Sequence, residues 1–217
     1  MTATGDDGHL AALRFMGKVV AAFSHDFKNA LAIINENAGL LKDLIALAAG
    51  GRPLDAARLE TLADRIGHQV QRADEMTREL NRFAHSMDKT AEEVDLSEML
   101  TLAAALSRRP AALQRVALEV APAGEPLRLT VFVFGLQRII YECVQTALAA
   151  CRPGDKISLS AARSAGELKV AIGPENAAGV DLVPSEKVGQ LAADLGAEVK
   201  SGPGGLAVVW PRAYPPG

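Results

Sequence analysis

The sequence predicts an α-then-α+β chain: a long antiparallel helical hairpin that pairs with a second copy as a four-helix bundle, followed by an α+β sandwich. Three observations lead there. Residues 9 to 48 contain no proline, and apolar residues fall at Met16, Val20, Phe23, Phe27, Leu31, Ile34, Ala38, Leu41 and Ile45. Those steps of three and four draw one stripe along a helix. After a glycine-rich break a second stripe runs through Leu59, Leu62, Ile66, Gln69, Ala73, Met76, Leu80, Phe83 and Met87, a heptad seam with one polar interruption. Beyond residue 94 short β-branched runs alternate with helical patterns, as in a mixed sandwich. The composition agrees, since 49% of residues are hydrophobic but only 4% aromatic, which favours helix packing over an aromatic-rich sheet.

Each element has its local reason. Forty helical residues span roughly 60 Å, and such a helix needs a partner for its stripe. Gly50 and Gly51 suit its C-cap, and Pro53 suits the first turn of the next helix. A hairpin alone leaves both seams partly bare, and a second copy is the simplest cover. The domains expected are 1–88, the hairpin, and 94–217, the sandwich. The polar stretch "DKTAEEVDLSE", residues 88 to 98, holds the boundary between them. Leu96 to Leu113 reads as helix, ended or kinked at Pro110. "RVALEVAP" and "EPLRLTVF" read as strands, and residues 135 to 150 as a buried helix. "DKISLSAAR" and "GELKVAIG" form a hairpin around Ser164 to Gly166. Ser185 caps a further helix. A last hairpin turns within Gly202 to Gly205 and ends at Trp210, a core or edge anchor.

The same numbers exclude several classes. A net charge of −3 offers no basic field for nucleic acid. No apolar run reaches the ~18 residues of a membrane span, and "MTATGDDGHL" lacks a signal peptide's basic and apolar regions. Cys143 and Cys151, the two cysteines, suit the core of a reduced, cytoplasmic protein. No His or Cys pair has metal-ligand spacing with a supporting carboxylate or thiolate, so no metal is expected. His9 lies at a frayed terminus, His68 at the seam's solvated edge, and His85 beside Arg82 near a helix C-terminus.

The stretch "AAFSHDFKNALAIINENAGLLKDL" carries the chemistry. His25 stands two residues from Phe23 and Phe27, about 200° from the stripe, so it points outward. Ala21, Asn29 and Ala32 share its face and leave the ring accessible to another protein. A neutral imidazole nitrogen attacks phosphorus if the proton stays on the other nitrogen. Asp26 is placed to orient or accept that proton. Lys28 is placed to soften the charge of an incoming phosphoryl group. Asn29 is placed to position a phosphoryl oxygen or a water. Against this, an exposed His beside Asp and Lys is ordinarily a solvated face, with pairs worth ~0.3 kcal/mol.

"FSHDFKNALAIINENAGLL" resembles the phosphoacceptor box of sensor histidine kinases: a histidine, an acid, two variable residues and an asparagine on the first helix of a dimeric hairpin. The hairpin, "VDLSEML" and the α+β tail follow in that family's order. The resemblance implies that His25 is phosphorylated, that Asp26 is its acid/base partner and that Asn29 assists transfer or dephosphorylation. It also implies an ATP-binding domain, from which the tail departs three times. Thr146 stands where the family has a magnesium-holding asparagine. Pro174 falls at or beside the adenine-reading aspartate. "NAAGVDLV" is short for the phosphate lid, with Asp181 as its one carboxylate. Glu175 and Asn176 are the residues from which a divergent pocket would be rebuilt.

The expectation is therefore a degenerate histidine-kinase-type sandwich without ATP or another cofactor. The chain would be a histidine phosphotransferase, more than an ATP-dependent kinase, relaying a phosphoryl group between the receiver-domain aspartates of response regulators. The alternatives are an ATP-dependent histidine kinase with a divergent nucleotide site, and a non-catalytic dimeric scaffold or regulator phosphatase.

Overall fold

The computed structural model describes residues 3–88, 90–164, 166–175, 182–202 and 204–211, with side chains from Gly8 onward. The chain divides into two compact units, Met1–Ala84 and His85–Gly217.

The first unit is a pair of antiparallel helices, α1 (Ala3–Ala49) and α2 (Ala56–His85). α1 begins earlier than the sequence pattern suggests. It ends at Gly51, whose φ of 92° only glycine adopts without strain. The Gly51 amide donates to Ala48 O at 3.0 Å and the Arg52 amide to Leu47 O, which closes the orphan carbonyls of the last turn. Pro53 lies in the connection and not in the first turn of α2 as expected. Asp55 is the cap instead: its Oδ1 accepts from the Arg58 amide at 3.1 Å. Two contacts set the register. Phe15 meets Phe83 edge to face at 5.8 Å, and Asp26 meets Arg72 at 4.0 Å. Both belong to one antiparallel alignment, which brings Asn29 and Gln69 to the same level.

The seam of α2 is as expected as far as Phe83: Leu62, Met76 and Phe83 are buried and Leu59, Ile66, Gln69, Ala73 and Leu80 half-buried, whereas Met87, beyond the helix end at His85, is 37% exposed. The stripe of α1 is corrected. The row buried against α2 is Phe15, Val19, Phe23, Ala30 and Asn37. Of the expected stripe Phe23 is buried, Met16, Phe27, Ile34, Ala38 and Leu41 are half-buried, and Val20, Leu31 and Ile45 are 47%, 57% and 59% exposed. One residue turns a helix by 100°, so α1 carries two apolar faces about a quarter-turn apart, and α2 covers one of them.

The second unit is an α/β sandwich. The elements are β1 (Glu92–Asp95), α3 (Leu96–Gln114), β2 (Ala117–Val120), β3 (Arg128–Val131), α4 (Val133–Ala150), β4 (Lys156–Ser164), β5 (Glu167–Pro174), α5 (Glu186–Asp194), β6 (Glu198–Gly202) and β7 (Gly205–Trp210). A five-stranded sheet runs β2-β4-β5-β7-β6; β2 lies parallel to β4 and the other neighbours are antiparallel. Register stacks Leu159, Ile172 and Leu206 in one row, Val170 and Val208 in the next, and Leu168 and Trp210 in a third. These residues join buried side chains of α3, α4 and α5 in one core. The polar stretch expected to be linker contains β1, which pairs antiparallel with β3 in a separate two-stranded sheet. Asp95 at its end caps α3, its Oδ1 accepting from the Ser97 amide at 2.8 Å.

Three further local expectations meet the structure. Pro110 does not end α3; the helix continues to Gln114 and stops at Arg115, a non-glycine residue at φ 59° whose amide donates to Ala111 O and Ala112 O. Ser185 caps α5 as expected, accepting from the Val188 amide. Trp210 is 1% exposed, and its Nε1–H donates to Leu195 O at 3.2 Å, so it is a core anchor with its polar atom satisfied. Cys143 is buried and Cys151 half-buried, both as free thiols. No helix among the described residues is long and apolar enough to cross a membrane.

Candidate functional site

His25 lies mid-way along α1 on a third face, roughly 120° from the row that packs on α2. Its side chain is 40% exposed, and Ala21, Lys28, Asn29 and Ala32 around it are exposed too. Asp26, one position on, lies at the border of the α2-facing row and is 32% exposed. The helix thus gives the imidazole an open approach and gives the carboxylate a place beside the second helix.

The structure brings three of the four sequence-predicted residues together. His25 Nδ1 lies 3.4 Å from Asp26 Oδ1 and 3.3 Å from Asn29 Nδ2. Both contacts use the same ring nitrogen, and Nε2 has no protein partner among the described residues. The two contacts also require opposite tautomers. Asp26 accepts a proton carried on Nδ1, which leaves the Nε2 lone pair bare. Asn29 Nδ2–H donates to an unprotonated Nδ1, which puts the proton on Nε2 and removes the nucleophile. Lys28 is exposed and bonds to none of the other three.

Two α2 residues at this level escape a reading of the first helix alone. Arg72 Nη2 lies 4.0 Å from Asp26 Oδ2. Gln69, the seam's polar interruption, buries its Oε1 without a partner. The Gln69 signal was visible as a break in the heptads, whereas Arg72 is one exposed arginine among several on α2 and needs the register to single it out.

In the second unit the residues that the resemblance set against a nucleotide site make the following contacts. The Thr146 hydroxyl donates to Glu142 O at 2.9 Å within α4. Pro174 is a strand residue paired with Ile157. Glu175 Oε1 meets Lys156 Nζ at 3.3 Å, and Lys156 also pairs with Glu119. Asn176, Asp181 and most of the short lid segment lie outside the described residues. Gly173 and Gly205 pass each other with no room for a side chain: a Cβ on Gly173 would sit 1.9 Å from Gly204 O. His85, the last residue of α2, has its Nδ1 3.1 Å from Asp88 Oδ2. No group of three or more His, Cys, Asp or Glu among the described residues could hold a metal ion.

No family model matches this sequence, and no curated protein matches it. Solved structures do. The cytoplasmic segment of histidine kinase QseC aligns at 15% identity over 66% of this chain and 95% of that one, with a TM-score of 0.45. The Acinetobacter baumannii histidine kinase AdeS aligns at 11% identity over 80% and 94%, TM-score 0.44. The histidine kinase ThkA in complex with the response regulator TrrA aligns at 15% identity over 91% of this chain and 61% of that one, TM-score 0.44.

Proposed function

We propose that this chain is a two-component phosphotransfer protein, a dimeric cytoplasmic histidine phosphotransferase that moves a phosphoryl group between regulator aspartates through His25. The observation that carries the reading is the half-exposed imidazole with Asp26 and Asn29 both on Nδ1 and no partner on Nε2 among the described residues. In the forward step Nε2 attacks the phosphorus of an aspartyl phosphate. The Nε2–P bond forms as the P–O bond to the carboxylate breaks, and the freed carboxylate leaves with the electron pair. Asp26 holds the Nδ1 proton and offsets the charge that grows on the ring. The reverse step returns the group to a second aspartate. In this reading phosphate comes from another protein, supported by Thr146 and Pro174 standing where the family has its magnesium-holding asparagine and adenine-reading aspartate.

The test is transfer of labelled phosphate from a phosphorylated receiver domain. Wild-type protein takes the label and His25→Ala does not; equal labelling of the two rejects the proposal.

A second reading is an ATP-dependent kinase with a divergent nucleotide site. It is favoured by the description of the similar structures as histidine kinases. Labelled ATP with magnesium distinguishes the two, since label appearing on His25 from ATP establishes the kinase and removes the relay. If transfer to His25 is absent but loss of phosphate from the regulator depends on Asn29, the chain is a regulator phosphatase. If binding survives His25→Ala with no phosphate moved, it is a scaffold.

A further inference from the structure

Asp26 divides its two oxygens between two helices. Oδ1 faces His25 Nδ1 at 3.4 Å, and Oδ2 faces Arg72 Nη2 of α2 at 4.0 Å. Among the described residues Arg72 is the one cation within ion-pair distance of this carboxylate. The pair is partly solvated, with side chains 46% and 32% exposed, and pairs of that kind add little to stability. Its effect is on where the carboxylate points. An aspartate on a helix surface otherwise samples several rotamers and turns toward water. The competing group is already in place, because Asn29 Nδ2 is at 3.3 Å from the same ring nitrogen.

We propose that Arg72 is a positioning residue for His25: by holding Asp26 against the ring it keeps the proton on Nδ1 and the Nε2 lone pair available. Without Arg72 the carboxylate swings away, Asn29 donates to Nδ1, and the proton moves to Nε2, where it blocks attack. Because Arg72 stands on the second helix, the nucleophile is armed only while the hairpin is closed at this level. This rests on His25 being the phosphoacceptor.

The test needs no regulator. Phosphoramidate, a small P–N phosphoryl donor, is mixed with the full chain. The Nε2–P bond forms, the P–N bond breaks, and ammonia leaves. The rate is followed by phosphorus NMR, and the ring tautomer of His25 by nitrogen-15 NMR. Wild type is expected in the Nδ1–H form. Arg72→Met is expected to shift toward Nε2–H and to label roughly tenfold more slowly, a modest loss for disturbed proton placement, with an unchanged melting curve. Arg72→Lys, which restores the cation, is expected to recover much of the rate. A Met variant that labels at the wild-type rate overturns the proposal, as does a slowed one whose tautomer is unchanged or which Lys fails to rescue. In either case His25→Ala, if unlabelled, leaves the phosphoacceptor reading intact. If His25→Ala labels like wild type, both fall.

Discussion

At the scale of single residues, the site is a contest for one nitrogen. Asp26 and Asn29 are one and four positions beyond His25, so the helix itself delivers both to Nδ1. Their opposite demands give separable outcomes. Asp26→Asn should cut the transfer rate by about 100-fold while leaving helicity unchanged, read by labelling and circular dichroism. The two thiols make another contrast. Burial and the nearby Glu142 push Cys143 up to about 12, and burial raises Cys151 less far from its ordinary 9.0. A thiol whose folded pKa is raised stabilises the fold fully below its unfolded pKa. That contribution is lost as pH rises from about 9 toward 12. A disulfide reagent at pH 8 should therefore modify Cys151 in the native protein and Cys143 only after unfolding, with stability falling on the alkaline side. Rapid native labelling of both would contradict the burial of Cys143.

At the scale of elements, three positions break a local rule. Pro110 sits inside α3 without an N–H for Leu106 O. Pro110→Ala should raise the melting temperature of the sandwich, by regaining that bond without disturbing the left-handed stop at Arg115. Gln69 leaves a buried acceptor unsatisfied in an apolar seam, at a cost of about 1–3 kcal/mol. Gln69→Leu should stabilise the hairpin by an amount in that range, measured by denaturant unfolding, unless a second copy supplies the missing donor, when the change should destabilise. Gly173 and Gly205 are the opposite case. A Cβ on Gly205 would lie 2.3 Å from Ile172 O, and its φ is 120°. Either glycine to alanine should lower the sandwich's stability by several kcal/mol, the scale of forced overpacking and strain.

At the scale of the whole molecule, the unanswered apolar surface is on α1. Leu13, Val20, Leu31 and Ile45 are 62%, 47%, 57% and 59% exposed, and they fall within roughly 40° of one another around the helix axis. This is the face that the sequence stripe picked out, a quarter-turn from the one that α2 covers. A second copy would bury it as a four-helix bundle. Light scattering should give a two-chain mass, and Leu31→Lys with Ile45→Lys should halve it while the helices persist. A wild-type monomer at micromolar concentration would remove the bundle from the account.

The order of elements apart from β1, the α2 seam as far as Phe83, the Ser185 cap, the two β-hairpins and the outward His25 were legible in the chain, because each is set by residues within a turn or a strand of one another. Periodicity also found apolar character on α1, but not which of two adjacent faces meets α2, since a one-residue offset is invisible until a partner helix is placed. The run of α3 through Pro110, the pairing of β1 with β3 and the approach of Gly173 to Gly205 depend on contacts distant in sequence. So does Arg72, forty-six positions from Asp26 and beside it only when the hairpin closes. Sequence determined that Asp26 and Asn29 reach the His25 ring; the antiparallel register of two helices decided which cation lies beside Asp26.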